Sequence, residues 1–363
     1  MQLIIIIIWV RYYIKYQERP TMKIITLLTL LIVLPFCGFA AYAQQNEEVL
    51  HIYSSRHYDT DEALYDNFTA QTGIKIQRVD GKDDALIARL KQEGKASPAD
   101  LFIAVDSGRL WRAQEAGLFE PIQSDILKTR IRDTLKDPKG HWFGFSKRAR
   151  VIVYNTETVM PDEIKTYEDL TDAKWKGRVC IRSASNIYNL SLTASFIALH
   201  GQESAKEWAV GVLNNLARKP QGGDTDQIRA VVEGVCDVAL VNSYYFFRLK
   251  RSDAQEDKDI IAKTDIIYPN QKTDGVHVNI SGAGVLANAD NKEAAVKFLE
   301  YLTTDQAQSY FASGNNEYPV LDNIDVPDAL SPYMEFKSQD LNVSEFGVHQ
   351  TQAQMIFDEI NFP

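Results

Sequence analysis

Three short segments gather tyrosine with polar neighbours: Ser54-Ser55-Arg56-His57-Tyr58, Ser183-Ala184-Ser185-Asn186-Ile187-Tyr188 and Asn242-Ser243-Tyr244-Tyr245. A phenol titrates near 10 when unperturbed, so it becomes an anionic ligand at neutral pH only beside a strongly acidic cation. Phenolate oxygen is hard, and ligand hardness selects the metal. A trivalent ferric ion is the natural partner of three or four phenolates in a site with few carboxylates. Calcium, magnesium and zinc fit less well, because no HxxxH, CxxC or DxDxDG spacing occurs. A single tyrosine after a strand is usually a half-buried packing residue, and His57 alone reads as a solvent-facing or capping histidine. The argument for a site is that the clusters recur at equivalent places. An exported hydrolase or transferase is disfavoured: GxSxG, P-loop and paired-carboxylate signals are missing, and Gly282-Ala283-Gly284 is too short a glycine motif to count.

Each cluster follows an expected strand. The first strand covers 49–53; Asp59 and Glu62 then read as a capping box ahead of Leu64 and Phe68, with Gly73 as the stop. A strand at 74–79, a helix over 83–93 carrying Leu86, Ile87 and Leu90 on one face, a strand at 100–105 and a helix over 107–116 continue the series. Such alternation predicts a parallel sheet with helices on both sides. An extended segment at 150–154 precedes a second series: strand 178–181, helices 186–199, 204–216 and 226–233, and strand 237–241. Extended segments at 266–268 and 282–287 and a helix over 291–301 follow. No linker rich in Pro, Gly or Ser separates the two series, so extended strands must join them, which suits a hinge. The expected fold is α/β, with two lobes in the architecture of periplasmic solute-binding proteins, hinge strands between them and a ligand cleft where loops at the carboxyl ends of strands converge. One lobe spans 44–149 plus about 270–322; the other spans 150–269 plus about 323–363.

The 363 residues carry 39 Lys+Arg against 49 Asp+Glu, a formal charge of −10, which argues against nucleic acid as a partner. With 45% hydrophobic and 24% charged residues the composition is that of an ordinary globular protein. Residues 1–43 differ from the rest. Met22-Lys23 opens a basic region, 24–34 is apolar but for two threonines, and Ala41-Tyr42-Ala43 is a small-x-small cleavage pattern, so this is a signal peptide cut near Ala43. The apolar run falls short of the roughly 20 residues of a membrane span. Residues 1–21 read as an upstream extension from a misplaced start. Acylation at Cys37 is disfavoured by the bulky Phe36 before it. Four of the 17 tyrosines (Tyr12, Tyr13, Tyr16 and Tyr42) fall in the leader, so the distribution of the remainder is what informs. Cys180 and Cys236 either pair in an oxidising compartment or sit as two small buried hydrophobes.

Beyond the three clusters, the segments YSSRHYDTDEALYDNFTAQTGIKI, PADLFIAVDSGRLWRAQEAGLFEP, SKRARVIVYNT, YEDLTDAKWKGRVCIRSASNIYN, DVALVNSYYFFR and FLEYLTTDQAQSYFASGNNEYPV resemble the ferric iron-binding periplasmic proteins of ABC-type iron uptake, in particular their cyanobacterial tyrosine-rich branch. The HY pair and the twin tyrosines are the most specific parts. DLTDAKWKGRV and the late segment look like features of the wider class II binding proteins. The resemblance implies Fe(III) as the bound ligand, held by Tyr58, Tyr188, Tyr244 and Tyr245, with His57 at the place of a histidine that ligates in some members and stays out of the shell in others. In the carboxylate-using branch the glutamate falls near Val105, and Asp106 is off by one, so Tyr188 is expected to take over that charge without a separate anion. Arg148 and Arg248 are expected beside the phenolates, orienting them and favouring their ionised form. Arg150 reads instead as a surface salt bridge, and Asn242 and Ser185 as donors to ligand oxygens or as turn formers. The implied partner is an ABC permease membrane subunit, and the implied state a periplasmic monomer. Two other readings stay open: a carrier of an organic or anionic solute that stacks on the tyrosines, and an iron-stress protein acting inside the cell.

Overall fold

The computed structural model describes residues 48–56 and 58–363. The expected leader, Cys37 and His57 lie outside the described residues. Strand β1 (Val49–Ser54) buries Leu50, Ile52 and Tyr53 and pairs in parallel with β2 (Lys75–Asp80) on one side and β3 (Leu101–Ala104) on the other. The crossovers run through helices Glu62–Thr72, with Leu64 and Phe68 inward, and Asp83–Glu93, with Leu86, Ile87 and Leu90 inward, as their spacing predicts. Gly73 ends the first of these at φ 75°, a left-handed value that suits glycine. The capping box expected at Asp59 and Glu62 is not formed. A 3₁₀ turn, Asp59–Asp61, leads into the helix, and the carboxylate at the helix start, Asp61, is taken by the buried guanidinium of Arg56 at 2.9 Å.

The sheet stays parallel only as far as β3. Beyond it, β8 (Val278–Val285) runs antiparallel to β3, and β4 (Phe143–Asn155) runs antiparallel to β8. The backbones of β4 and β8 approach so closely that a Cβ on Gly282 would stand 2.5 Å from the Phe143 carbonyl oxygen. Only glycine fits there. β4 changes partners along its length. Phe143–Ala149 lies against β8, whereas Arg150–Tyr154 lies against β6 (Val238–Asn242) and Ile152–Asn155 against β7 (Thr264–Ile267). The short β5 (Val179–Cys180) pairs in parallel with β6, and β9 (Tyr318–Pro319) lies against Ser146 and Lys147. The path through the sheet is therefore β2-β1-β3-β8-β4-β6-β5. Nearly every side chain of β4 is buried, as a strand covered on both faces requires.

The helices expected at 186–199 and 204–216 form one run, Ile187–Asn214, broken at Gly201, where φ is 83° and ψ 165°. This run packs Phe196 against Trp208 with ring centroids 4.5 Å apart, and Tyr167 edge-on to Phe196. Cys180, on β5, and Cys236, just before β6, form a disulfide. Helix Lys292–Leu302 buries Ala294, Ala295, Phe298 and Leu299, the face its pattern predicts. The chain after it carries elements the sequence reading did not assign, including helices Asp305–Asn315 and Gln350–Glu359. The latter packs on helix Ile187–Asn214.

Candidate functional site

All three tyrosine clusters stand where a strand hands over to a turn or helix. The end of β1 leads through the buried Ser55 and Arg56 to Tyr58. Asn186 caps helix Ile187–Asn214, its Oδ1 accepting from the Tyr188 backbone N–H at 3.1 Å, so Tyr188 sits on the first turn. Asn242 ends β6 and opens helix Ser243–Lys250, which puts Tyr244 and Tyr245 on its first turn. Successive helical residues diverge, yet the rings of Tyr244 and Tyr245 lie only 4.2 Å apart at 31°. The Tyr188 and Tyr244 hydroxyls share a hydrogen bond of 3.2 Å. Tyr58, Tyr188 and Tyr244 each feel Tyr245 electrostatically, and each is opposed by the same cation, Arg148. The four tyrosines named from the sequence are thus brought to one place from three separate segments, the Tyr188 and Tyr244 segments lying 56 residues apart in the chain.

Their environment keeps Tyr58, Tyr188 and Tyr244 protonated when no cation is present. Burial, seconded by the Glu317 carboxylate, pushes Tyr58 up to about 12 against the pull of Arg56 and Arg148. Burial first, and then the neighbouring phenols, hold Tyr188 and Tyr244 well above the ordinary tyrosine value. A buried cluster of hydroxyls that resist ionisation, ringed by guanidiniums, can become a set of anionic ligands only around a highly charged cation. The guanidiniums are arranged over the rings: Arg56 lies 5.0 Å from the Tyr58 centroid, Arg182 5.5 Å and Arg148 5.8 Å from that of Tyr188. Arg248 is exposed, sits 4.9 Å over the Tyr245 ring and donates to Thr225 Oγ1 at 3.2 Å. Arg148 is buried and donates to Ser281 Oγ and the Ile280 carbonyl, both at 2.9 Å.

Arg150 overturns its expected place on the surface. It is 1% exposed, its Nη1 lies 3.1 Å from Asp224 Oδ1, and its Nη2 donates to Asn189 Oδ1 at 2.8 Å. The reason is its register on β4, opposite Asn242 of β6, which turns the side chain into the covered face above helix Asp224–Val232. Asn242 Oδ1 accepts from Arg150 Nη1 at 3.3 Å, while its Nδ2 is buried with no acceptor among the described residues. Ser185 is exposed and meets Ser183 Oγ at 3.1 Å, as a turn residue does. Asp106 is committed elsewhere: it caps helix Ser107–Glu115 through Gly108 N–H at 2.8 Å and accepts from Ser191 Oγ at 3.0 Å and Asn279 Nδ2 at 2.9 Å. Burial pushes its carboxyl up to about 6. Sequence reasoning missed Arg56, Arg182 and Glu317. The first adjoins the HY pair and the second precedes the Ser183 cluster, which was the available signal. A separate group near the surface, Glu168, His200 and Asp274, has its ligand atoms within 4.8 Å of one another, but the 3.1 Å contact of His200 Nε2 with Asp274 Oδ2 is one that a side-chain pair makes without a metal.

Residues 96–342 match the family described as bacterial extracellular solute-binding protein. The chain belongs to this family. Iron uptake protein A1 of Synechocystis is 45% identical over 353 residues, covering 95% of this chain and 98% of that one. The major ferric iron-binding protein of Neisseria meningitidis is 30% identical over 74% of this chain and 80% of its own length. Among solved structures, the Trichodesmium protein IdiA or FutA, in complex with iron and citrate ligands, superposes with a TM-score of 0.84 at 52% identity, covering 87% of this chain and all of that one. Apo FutA2 from Synechocystis superposes at 0.83 with 44% identity, again over 87% of this chain and all of that one. The fold expected from the alternating elements, two-lobed α/β of class II, is the fold of these neighbours. By name, the first of these relatives is an iron uptake protein and the second a ferric iron-binding protein.

Proposed function

We propose that this solute-binding protein is an extracytoplasmic ferric-ion carrier: it captures Fe(III) between its lobes through tyrosinates and delivers it to an ABC-type permease. The observation that carries this reading is the convergence of Tyr58, Tyr188, Tyr244 and Tyr245, with the Tyr188 and Tyr244 hydroxyls 3.2 Å apart. Three or four phenolates neutralise a trivalent cation without a carboxylate or a separate anion, and the donor set is hard enough to select it. His57 adjoins Tyr58 in the chain and is the candidate for a further ligand. Arg148 and Arg248 face the ligand rings and stabilise their ionised form. The relatives that share most of this chain are named for iron uptake and ferric iron.

The change of partner along β4 at Ala149 and Arg150 supports lobe limits of 44–149 plus about 270–322 and 150–269 plus about 323–363, with β4 as one hinge strand. Ligand closes the lobes only by the difference in its affinity for the two states. The protein works as a monomer in the periplasm after cleavage near Ala43, acting by binding and delivery rather than by chemistry on its cargo.

Purified protein mixed with ferric citrate is expected to develop a visible phenolate-to-iron charge-transfer band. Tyr244→Phe combined with Tyr245→Phe is expected to abolish it. A colourless wild type, or a double variant with unchanged iron affinity, overturns the reading. An N-terminus of the secreted protein upstream of Met22 would overturn the leader assignment separately.

A further inference from the structure

Beneath the tyrosines lies a buried layer of four charges. Glu317, 1% exposed, follows Asn316, the left-handed residue that ends helix Asp305–Asn315, and directly precedes β9. Its Oε2 accepts from Arg56 Nη1 at 2.8 Å and from Ser146 Oγ at 2.8 Å. Its Oε1 lies 3.4 Å from Ser281 Oγ and 3.6 Å from Arg148 Nη1. On the far side of Arg56, Asp61 takes Nε at 2.9 Å and Nη2 at 3.0 Å, and is itself held by Asn315 Nδ2 at 2.6 Å. Two cations are thereby matched by two anions, and Glu317 lies against both cations.

Both of those cations face the tyrosines, Arg56 over Tyr58 at 5.0 Å and Arg148 over Tyr188 at 5.8 Å. A guanidinium rests where its acceptors are. Arg148 has Ser281 Oγ and the Ile280 carbonyl as neutral acceptors and Glu317 as its charged neighbour, while its Nε finds no acceptor among the described residues. Charges buried at this depth are weakly screened, so one carboxylate changes the potential at a phenolate oxygen far more than it would at the surface. If the layer served packing alone, apolar side chains of similar volume would serve as well.

We propose that Glu317 is a positioning residue for the tyrosine site: it locks Arg56 and Arg148 against the ligand rings and sets how much positive charge they present to the phenolates. This rests on the tyrosine-ligated ferric site proposed above. With Glu317 in place, it and Asp61 together balance the two arginine charges and the phenolates remain strong donors. With a neutral side chain there, only Asp61 remains, and one positive charge is left uncompensated to pull on the phenolate electrons. Removing Arg148 does the reverse.

The test uses the full mature protein loaded from ferric citrate and reads the energy of the charge-transfer band. Glu317→Gln is expected to move the band to shorter wavelength, because the phenolate electrons are held more tightly. Arg148→Gln is expected to move it to longer wavelength, the double variant to return it toward wild type, and Glu317→Asp, which keeps the charge, to leave it near wild type. A shift of both single variants in the same direction, as general loosening would give, overturns the proposal, as do unmoved bands. Should Glu317→Gln fail to fold, Arg148→Gln with Glu317→Asp still reads the sign, and an unmoved Arg148→Gln band overturns it. A wild type without any band overturns the ferric reading itself, whereas an intact wild-type band with unmoved variants overturns only the role of Glu317.

Discussion

The hydroxyls of Tyr188 and Tyr244 stand 3.2 Å apart, joined by a hydrogen bond in a buried setting. Two phenolates could not be held at that distance without a cation between or beside them, whereas two phenols are held comfortably. Metal capture is therefore proton release. Uptake of Fe(III) at neutral pH is expected to expel about three to four protons, one for each tyrosine that becomes a ligand. Titration calorimetry in buffers of different ionisation heat measures this, and Tyr188→Phe is expected to release one fewer than wild type from the same ferric source. Equal release by the two proteins would remove Tyr188 from the ligand set.

The Cys180–Cys236 disulfide ties the strand before the Ser183 cluster to the strand before Tyr244, closing a loop with a sequence separation of 56. In the chain-entropy account, such a loop contributes about 4 kcal/mol by restricting the unfolded ensemble. Thermal unfolding with and without a phosphine reductant is expected to show a clearly lower midpoint for the reduced protein, and Cys180→Ser with Cys236→Ser the same. An unchanged midpoint would mean that the reduced chain retains the structure of this region when unfolded.

Much of the scaffold was legible because local pattern and burial agree. Leu86, Ile87 and Leu90 mark the inner face of helix Asp83–Glu93, and the strand-end rule picked out Tyr58, Tyr188, Tyr244 and Tyr245, which meet in the structure. What stayed hidden depends on partners remote in the chain. Arg56 pairs with Asp61 five residues away but also with Glu317, 261 residues away, and nothing in the local sequence announces the second contact. Arg150 looked like a surface residue because its acids, too, are distant: Asp224 reaches it only through the packing of helix Asp224–Val232 under β6 and β4. The parallel sheet was overextended for the same reason, since β8 joins β3 from a point late in the chain and reverses the direction.

His277 supplies an acid-sensitive element in the scaffold. It is 2% exposed, its Nδ1 lies 3.1 Å from Gln339 Oε1 and its ring 4.5 Å from that of Phe346. Burial, with the nearby Arg150 and Arg148, holds its pKa down at about 3, below the ordinary 6.5. The folded state therefore requires neutral imidazole. Its contribution to stability is complete above pH 6.5 and is lost as pH falls from 6.5 toward 3, at up to about 1.4 kcal/mol per pH unit. Urea unfolding at pH 7, 5 and 4 is expected to show a steeper loss for wild type than for His277→Gln. Parallel losses would mean that His277 is not the group that charges.

Arg150 and Asp224 form a buried ion pair beneath β4 and β6, with Asn189 and Asn242 among the guanidinium's partners. Breaking one side of such a pair leaves a charge that can neither reach water nor find a new partner. Arg150→Met is expected to cost about 3–5 kcal/mol in urea unfolding, with Asp224→Asn in the same range. The double variant Arg150→Met with Asp224→Leu is expected to recover most of that loss, because an apolar pair of similar volume is often as stable as the ions it replaces. The sign of the coupling decides the matter. If Arg150→Met costs less than about 1 kcal/mol, the pair behaves like one at the surface and the burial of Arg150 has no energetic consequence. If the cost is large but the double variant is no better than the singles, Arg150 stabilises the fold through Asn189 and Asn242 rather than through Asp224. The charge-transfer band of the iron-loaded variant separates this structural role from one at the site, because Arg150 also lies 5.8 Å from the Tyr188 ring. A band displaced in Arg150→Met and restored to its wild-type position in Arg150→Lys would place its charge in the same account as that of Arg148.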